Sequence, residues 1–497
     1  MKICLSLAGK TIDENLRILE QYRDKVDLVE LRADFLEPSE KFYIRIFPEK
    51  ARIPSLLSIR RASDGGKFTD GEGVRLVLFA KALSYARSDV SANYAYVELE
   101  DDFHIPAIEE ACRTFGTRIV RSHHYQKGLP ENLDEALAAL SREDDEIPRL
   151  DVAIQSSGEA LRFLRWWIAL PPAERIFTLT GVYGLFGHIL SSRLGSMWTY
   201  ARSRHPSDAS DRFLFDPAVL HDIYHLREYG PQTELYALLG QKSIAASLSP
   251  LIHNTAFRTL EKNALFFPLV VDRIEDGLAL LELLGCKGAA ITVPFKEDVL
   301  PYLAFRSTDV QRIGACNTLV LRDGAWAGYN TDADGFERSL MQFLGRTDLE
   351  GMRATIIGAG GAAKSVALSL YRKGAHCLIL NRTIMAAREL ARKYNFLYGH
   401  LDDRSIDLIS SYSELIVQAT SVGMDSEDDP LNFYEFKGTE AVFDLVYHPP
   451  RTALLKRAEA AGCQVTNGYR MLCYQAAGQY KLWMNEPPPE IYAHIEP

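Results

Sequence analysis

Gly358-Ala359-Gly360-Gly361-Ala362-Ala363 stands between an apolar, strand-like run, Thr355–Ile357, and a helical run, Lys364–Arg372. Gly358 permits a tight turn, Gly360 lets the backbone approach a pyrophosphate, and Ala363 is small enough for close helix–strand packing. The amides that open such a helix face phosphate oxygens. A second strand-like run, Cys377–Leu380, ends in Asn381-Arg382-Thr383. An NAD site usually offers Asp or Glu there to the ribose diol. A guanidinium suits a 2′-phosphate instead, so the pattern points to NADP.

Further clusters precede this unit. Ser247 and Ser249 stand two apart before Pro250 and point the same way if the stretch is extended. Ser249 also suits the cap of a helix with Pro250 at its first position. Lys296 follows the strand-like Ile291-Thr292-Val293, which Pro294 interrupts. Gly314–Thr318 and Gly328–Gly335 supply Asn317, Asn330 and Asp332. Taken singly, each cluster is also an ordinary turn.

Another set lies near the start of the chain. Glu30-Leu31-Arg32-Ala33-Asp34, Arg60-Arg61, Glu98-Leu99-Glu100 and Ser122-His123-His124 each end an apolar run. Basic groups beside carboxylates and a histidine can hold a small carboxylate and move its protons. They can equally form rim ion pairs, and spacing alone leaves both readings open.

The elements that must position these groups are legible in the pattern. Strands are expected at Lys2–Leu7, Val26–Leu31, Pro54–Ile59, Tyr94–Leu99, Arg118–Arg121, Arg149–Ile154, Ile176–Leu179 and Met197–Tyr200. Amphipathic stretches such as Glu72–Arg87, Pro106–Phe115 and Glu159–Trp167 alternate with them. Eight strands with helical crossovers in about 200–250 residues predict a (β/α)8 barrel, with functional groups at the carboxyl ends of its strands. Tyr229-Gly230-Pro231 reads as a linker, and Glu234–Leu239 opens a new strand.

Composition bounds the rest. A chain of 497 residues exceeds one core and predicts two or three domains. Its hydrophobic content of 47% and charged content of 25% fit a globular protein. A net charge of −10 without a long basic block argues against nucleic acid as a partner. The 7 scattered cysteines include no Cys-x-x-Cys pair, which predicts free thiols in a reducing compartment, the cytoplasm. MKICLSLAGK reads as a strand rather than a signal peptide. No apolar run approaches about 18 residues, so no membrane span is expected. No metal site is expected.

Residues 1–228 resemble a type I 3-dehydroquinate dehydratase through "ELRADF" at Glu30–Phe35, "RRASDGG" at Arg60–Gly66, "YVELE" at Tyr96–Glu100 and "SHHY" at Ser122–Tyr125. The resemblance implies a substrate held by Glu30, Arg32 and Arg60, with His124 moving protons and Glu100 orienting it. Members of that family form a Schiff base through a lysine, and Arg149 stands at that position. A guanidinium stays protonated and offers no lone pair to a ketone. No lysine occurs between Lys127 and Lys242. His188 stands at the strand-seven position of the family's carboxylate-binding arginine, and the closing loop's Pro-Gly-Gln is missing from Arg202–Phe213. The expectation is a barrel that has lost Schiff-base chemistry.

Residues 233–497 resemble shikimate dehydrogenase. The matching motifs are "SLSPLIHN", "ITVPFK", "GACNTL", "NTDADG", "GAGGAAKS", "NRT", "ATSVGM", "FDLVYHPPRTALL" and "NGYRMLCYQ". The resemblance implies Lys296 as proton donor and acceptor, paired with Asp332. It implies substrate contacts from Ser247, Ser249, Thr292, Asn317, Asn330, Tyr447 and Gln475. NADP would be held by Gly358, Ala359, Gly360, Gly361, Ala362, Asn381, Arg382, Thr383, Thr420, Leu445 and Gly468. The family often carries a basic residue three places after "NRT"; here Ala386 stands there and Arg388 follows. The implied layout is a barrel over 1–228, a substrate-binding α/β domain over 233–335 plus 470–497, and a Rossmann domain over 340–467. The expected reaction is NADP-linked interconversion of 3-dehydroshikimate and shikimate. The alternatives are a fully bifunctional dehydratase/dehydrogenase, a quinate dehydrogenase and a ligand sensor, the last opposed by the intact Lys296/Asp332 pair.

Overall fold

A computed structural model describes residues 2–83, 92–141, 143–204, 214–487 and 489–495. The expected helix Glu72–Arg87 is seen as Glu72–Leu83, and its last residues lie outside the described ones, as does most of Arg202–Phe213. The chain divides into two compact units. One comprises Met1–Glu234, Gln241–Pro250 and Asn263–Gly285; the other comprises Leu235–Gly240, Leu251–Lys262 and Cys286–Pro497.

In the first unit, the strands are β1 (Lys2–Leu7), β2 (Leu28–Arg32), β3 (Ser55–Ser58), β4 (Tyr96–Glu100), β5 (Arg118–Tyr125), β6 (Ile147–Ala153), β7 (Ile176–Thr180) and β8 (Trp198–Arg202). They pair in parallel in the order β7-β6-β5-β4-β3-β2-β1-β8, a nearly closed barrel. Each of the eight expected strands forms, with ends displaced by a few residues. The crossover helix Ser157–Ala169 begins at a side-chain cap. Ser156 accepts from the Glu159 amide at 3.2 Å while the Glu159 carboxylate accepts from the Gln155 amide at 2.9 Å.

Side chains alternate across a strand, so every second residue faces the barrel interior. Cys4, Leu28, Leu56, Val120, Ile147, Ile176 and Trp198 pack together as an apolar floor. Two residues further along each strand, the inward set becomes Ser6, Glu30, Ser58, Glu98, Ser122, Arg149, Thr178 and Tyr200, all buried. A core that turns from hydrocarbon to charge at its carboxyl end is built to hold something polar there. The same unit contains β10 (Ala264–Val270).

In the second unit, β9 (Glu234–Gly240), β11 (Gly288–Ile291), β13 (Thr318–Arg322), β14 (Ala325–Tyr329) and β12 (Phe305–Arg306) are hydrogen-bonded in that order. A second sheet is wholly parallel. It contains β15 (Arg353–Ile357), β16 (His376–Asn381), β17 (Leu397–His400), β18 (Leu415–Gln418), β19 (Ala441–Asp444) and β20 (Gln464–Asn467). Its order, β17-β16-β15-β18-β19-β20, is that of a Rossmann fold, and the strand order reverses between β15 and β18. Its inner strands, β15, β18 and β19, are almost wholly buried and read as largely apolar runs, as the centre of a parallel sheet requires. The helices Asp332–Leu344 and Tyr469–Met484 pack closely, with Gly335 against the Gln475 backbone.

Candidate active site

Lys296 lies on the short helix Phe295–Asp298 just beyond β11, anchored by the buried Phe295. Asp332 opens the helix Asp332–Leu344. Asn330 fixes that helix start, since its Oδ1 accepts from the amides of Asp332 at 3.1 Å and Ala333 at 3.3 Å. The Lys296 ammonium donates to Asp332 Oδ2 at 2.6 Å. The other oxygen, Oδ1, accepts from Asn317 Nδ2 at 2.8 Å. Asn317 Nδ2 also lies 3.0 Å from Thr331 Oγ1 and 3.2 Å from Gln475 Oε1, while its Oδ1 accepts from the Thr331 amide at 2.8 Å. Asp332, Asn317 and Asn330 are buried, so their hydrogen bonds fix one carboxylate orientation.

The cofactor-side residues gather at the carboxyl ends of the parallel sheet. Gly358 follows β15 with φ of 110°, and a Cβ there would meet Thr420 Cγ2 at 3.0 Å. Only glycine fits both the dihedral and the space. The helix Gly361–Arg372 starts beside it. A Cβ on Gly360 would meet no protein atom within 4 Å, so the turn leaves an open cradle at a helix start. A Cβ on Gly361 would come within 3.2 Å of Lys296 Cδ, which puts that cradle next to the lysine. Asn381 closes β16, and the exposed Arg382 and Thr383 lead into the helix Ile384–Tyr394. Leu445 follows β19, and Gly468 follows β20 against the Leu445 carbonyl. Ala359 and Ala362 complete the turn. Glycine turn, helix start and exposed guanidinium fit a dinucleotide with a 2′-phosphate.

The remaining expected substrate residues are dispersed over several elements. Gln475 is buried on the helix Tyr469–Met484, Thr292 is half-buried after β11, and Tyr447 is half-buried after Leu445. Ser247 and Ser249 belong to the first unit, where their hydroxyls lie 3.2 Å apart. Thr331 is a contributor that the sequence reading left without a role. It stands in "NTDADG" between Asn330 and Asp332, and only its spatial partner Asn317 reveals its part.

In the barrel, a cavity of about 600 Å³ opens at the carboxyl ends of the strands. Glu30, Arg32, Arg60, His124 and Arg149 line it. Glu100 does not act as the partner of His124. It pairs with Arg75, a fully buried side chain of the helix Glu72–Leu83 that also donates to the Ile59 carbonyl at 2.7 Å. A buried guanidinium requires a carboxylate, and Glu100 meets that need. The carboxylates at His124 are Asp151, 3.1 Å from Nδ1, and Glu98, 3.0 Å from Nε2. Glu98 and Glu100 share one face of β4, and period-two patterning does not tell the inner one from the outer.

Arg149 is held by ion pairs. It reaches Glu98 at 3.1 Å and Asp151 at 3.0 Å, and its guanidinium carbon lies 4.1 Å from the Tyr200 ring centre. Burial pushes the Glu98 carboxyl up, but Arg149, Arg60 and His124 together hold it well below the usual carboxylate range. Asp151 is likewise held low despite its burial, by His124 and Arg149. Burial pushes His188 down to about 4, so it is neutral at pH 7.

A glycine turn at the switch point of a parallel sheet, beside a half-buried lysine paired with a buried aspartate, defines a nicotinamide-dependent oxidoreductase for a small polar substrate. Comparison with known proteins gives the family. Residues 238–319 match the shikimate dehydrogenase substrate-binding domain, residues 341–423 the shikimate/quinate 5-dehydrogenase family, and residues 3–229 type I 3-dehydroquinase. A shikimate dehydrogenase (NADP(+)) of Moorella thermoacetica is 40% identical over 271 residues, covering 52% of this chain and 90% of the relative. One from Caldanaerobacter subterraneus is 36% identical over 262 residues, covering 51% and 92%. The chloroplastic bifunctional 3-dehydroquinate dehydratase/shikimate dehydrogenase of Arabidopsis thaliana is 29% identical over 521 residues, covering 99% of this chain and 84% of that protein. The chain belongs to the shikimate dehydrogenase family and carries this enzyme fused to a type I 3-dehydroquinase domain.

Proposed function

We propose that this enzyme interconverts 3-dehydroshikimate and shikimate with NADP, Lys296 and Asp332 moving the proton, and that its barrel performs no Schiff-base dehydration. The cofactor, when bound, supplies or accepts the hydride at the ring carbon that bears the ketone. The chain must then supply a proton to the nascent alkoxide or remove one from the alcohol. Lys296 is the group for that step, and Asp332 holds its ammonium in one direction. Asn317 fixes the carboxylate, so the lysine has one resting geometry. The 2.6 Å contact between Lys296 and Asp332, beside the Gly361 turn, carries this reading.

Thr292, Asn317, Asn330, Tyr447 and Gln475 are the hydrogen-bonding groups for the ring hydroxyls. Ser247 and Ser249 are assigned to the substrate carboxylate on the family resemblance. Gly358–Ala362, Asn381–Thr383, Thr420, Leu445 and Gly468 are assigned to NADP. The substrate-binding domain is taken as 233–335 plus 470–497, the Rossmann domain as 340–467 and the barrel as 1–228. Seven free, buried cysteines suit a reducing cytoplasm.

Arg149 supports the reading of the barrel: it is a guanidinium fixed between two carboxylates at the lysine position. The test is a pair of steady-state assays on one preparation, NADPH formation with shikimate and enone formation with 3-dehydroquinate. Turnover in the first and none in the second is expected. Borohydride reduction in the presence of 3-dehydroquinate should leave the intact mass unchanged, and an adduct of the substrate's mass would overturn the reading of the barrel.

A further inference from the structure

The barrel cavity contains a cation that the barrel itself does not supply. Lys242, beyond residue 229 where the stretch that matches type I 3-dehydroquinase ends, lines the cavity together with Tyr183, Thr178 and Tyr200. Both Lys242 and the barrel belong to the first compact unit. We infer that Lys242 is the carboxylate-binding group of this cavity, which takes a small polyhydroxylated carboxylate ion as a non-covalent ligand.

Charge pairing singles out Lys242. Arg32 is paired with Asp34 at 2.7 Å, Arg60 with Glu98 at 3.2 Å, and Arg149 with Glu98 and Asp151. These three arginines already face internal carboxylates, so an incoming anion gains little from them. Lys242 is exposed, and among the described residues no carboxylate lies within 4.0 Å of its ammonium. Its Nζ lies 5.9 Å from the centre of the Tyr183 ring. Tyr183 stands on the loop after β7, the strand whose following helix carries His188. His188 is fully buried and neutral and does not line the cavity, so it supplies no charge to a ligand there. Lys242 is the cation beside Tyr183.

Two buried hydroxyls point to the rest of the ligand. Thr178 Oγ1 and Tyr200 Oη line the cavity, are 4% and 2% exposed by residue, and have no hydrogen-bond partner within the chain. Buried polar atoms of this kind are normally satisfied. Hydroxyls on a ring that enters carboxylate-outward would meet them. No bond to carbon forms, because the ammonium acts only as an ionic donor. The inference rests on the reading that the barrel has lost its Schiff base.

The test is calorimetric titration of the full-length protein with quinate, a ketone-free probe that cannot form an imine. Shikimate is left out because it belongs to the same ligand class, and quinate bound at the dehydrogenase site is the component common to wild type and Lys242→Met. Saturable binding beyond that component is expected in the wild type. Lys242→Met should weaken it by at least about tenfold, the scale of one hydrogen bond to a charged group, and Lys242→Arg should restore most of it. Thermal melts establish that the variants fold. Absence of saturable binding in the wild type, or equal affinity in Lys242→Met, would overturn the inference, as would a borohydride-trapped 3-dehydroquinate adduct on Lys242. Shikimate-dependent NADPH formation by the same wild-type preparation reports separately on the dehydrogenase reading.

Discussion

Lys296 Nζ lies 2.6 Å from Asp332 Oδ2, and the opposite oxygen of that carboxylate is bound by Asn317 at 2.8 Å. The carboxylate therefore cannot rotate without losing one of two charge-assisted bonds. Asp332→Asn keeps the shape but removes the charge that holds the ammonium. We expect kcat for shikimate oxidation to fall about 10- to 100-fold, the worth of one bond to a charged group. KM for NADP should stay within about twofold. Steady-state rates with each substrate varied in turn check this.

Asn317 is a positioning residue for the same pair. Its amide reaches Asp332, Thr331 and Gln475. Asn317→Ala should lower kcat about tenfold by freeing the carboxylate. Asn317→Asp should do worse, because it places a second negative charge against Asp332. A variant order with Asn317→Asp the more active would show that charge at this position is irrelevant.

Arg382 governs the choice of cofactor in this account. It is exposed at the end of β16, where the sequence offers no acidic residue to a ribose diol. Arg382→Ala should raise KM for NADP about 10- to 100-fold, the range of a guanidinium–phosphate bond. KM for NAD should change by less than about threefold. Equal losses with both cofactors would place the guanidinium elsewhere than at the 2′-phosphate.

How far the sequence reaches can be judged residue by residue. Apolar runs of four to eight residues sufficed to find all eight barrel strands, and the glycine spacing around Gly358 located the switch point. Both signals are local and repeat along the chain. The resemblance implied Glu100 as the partner of His124, whereas Glu98, on the same strand face, and Asp151 stand beside it. Only the position of Arg75, on a helix before β4, removes Glu100 from the set. Lys242 shows the same limit at longer range. Its place at the barrel mouth depends on how the chain packs after Pro231, and no spacing within the barrel segment encodes it.

Stability should depend on Asp444, which is fully buried after β19 begins. Burial pushes its carboxyl up to about 6, against the opposing bonds from Thr452 Oγ1 and the Val446 amide. A pKa raised on folding means that the native state holds the proton more tightly than the unfolded chain. Its stabilising contribution is complete below the unfolded value near 4 and is lost as pH rises to about 6. Asp444→Asn is neutral throughout and lacks that loss. The variant's melting temperature, relative to wild type, should therefore climb between pH 4 and pH 6.5 and then level off. The change corresponds to roughly 3 kcal/mol at most. A constant offset across that range would show that Asp444 titrates as an ordinary carboxyl.

The central claim is that one amine moves the proton while the nicotinamide handles the hydride. Initial rates of NADPH formation from shikimate by Lys296→Ala, with NADP affinity measured by fluorescence titration on the same sample, test it most directly. The account predicts kcat lower by about 10²- to 10⁴-fold, the usual worth of general acid–base catalysis, with NADP affinity within about twofold of wild type. A kcat within about threefold of wild type would contradict it.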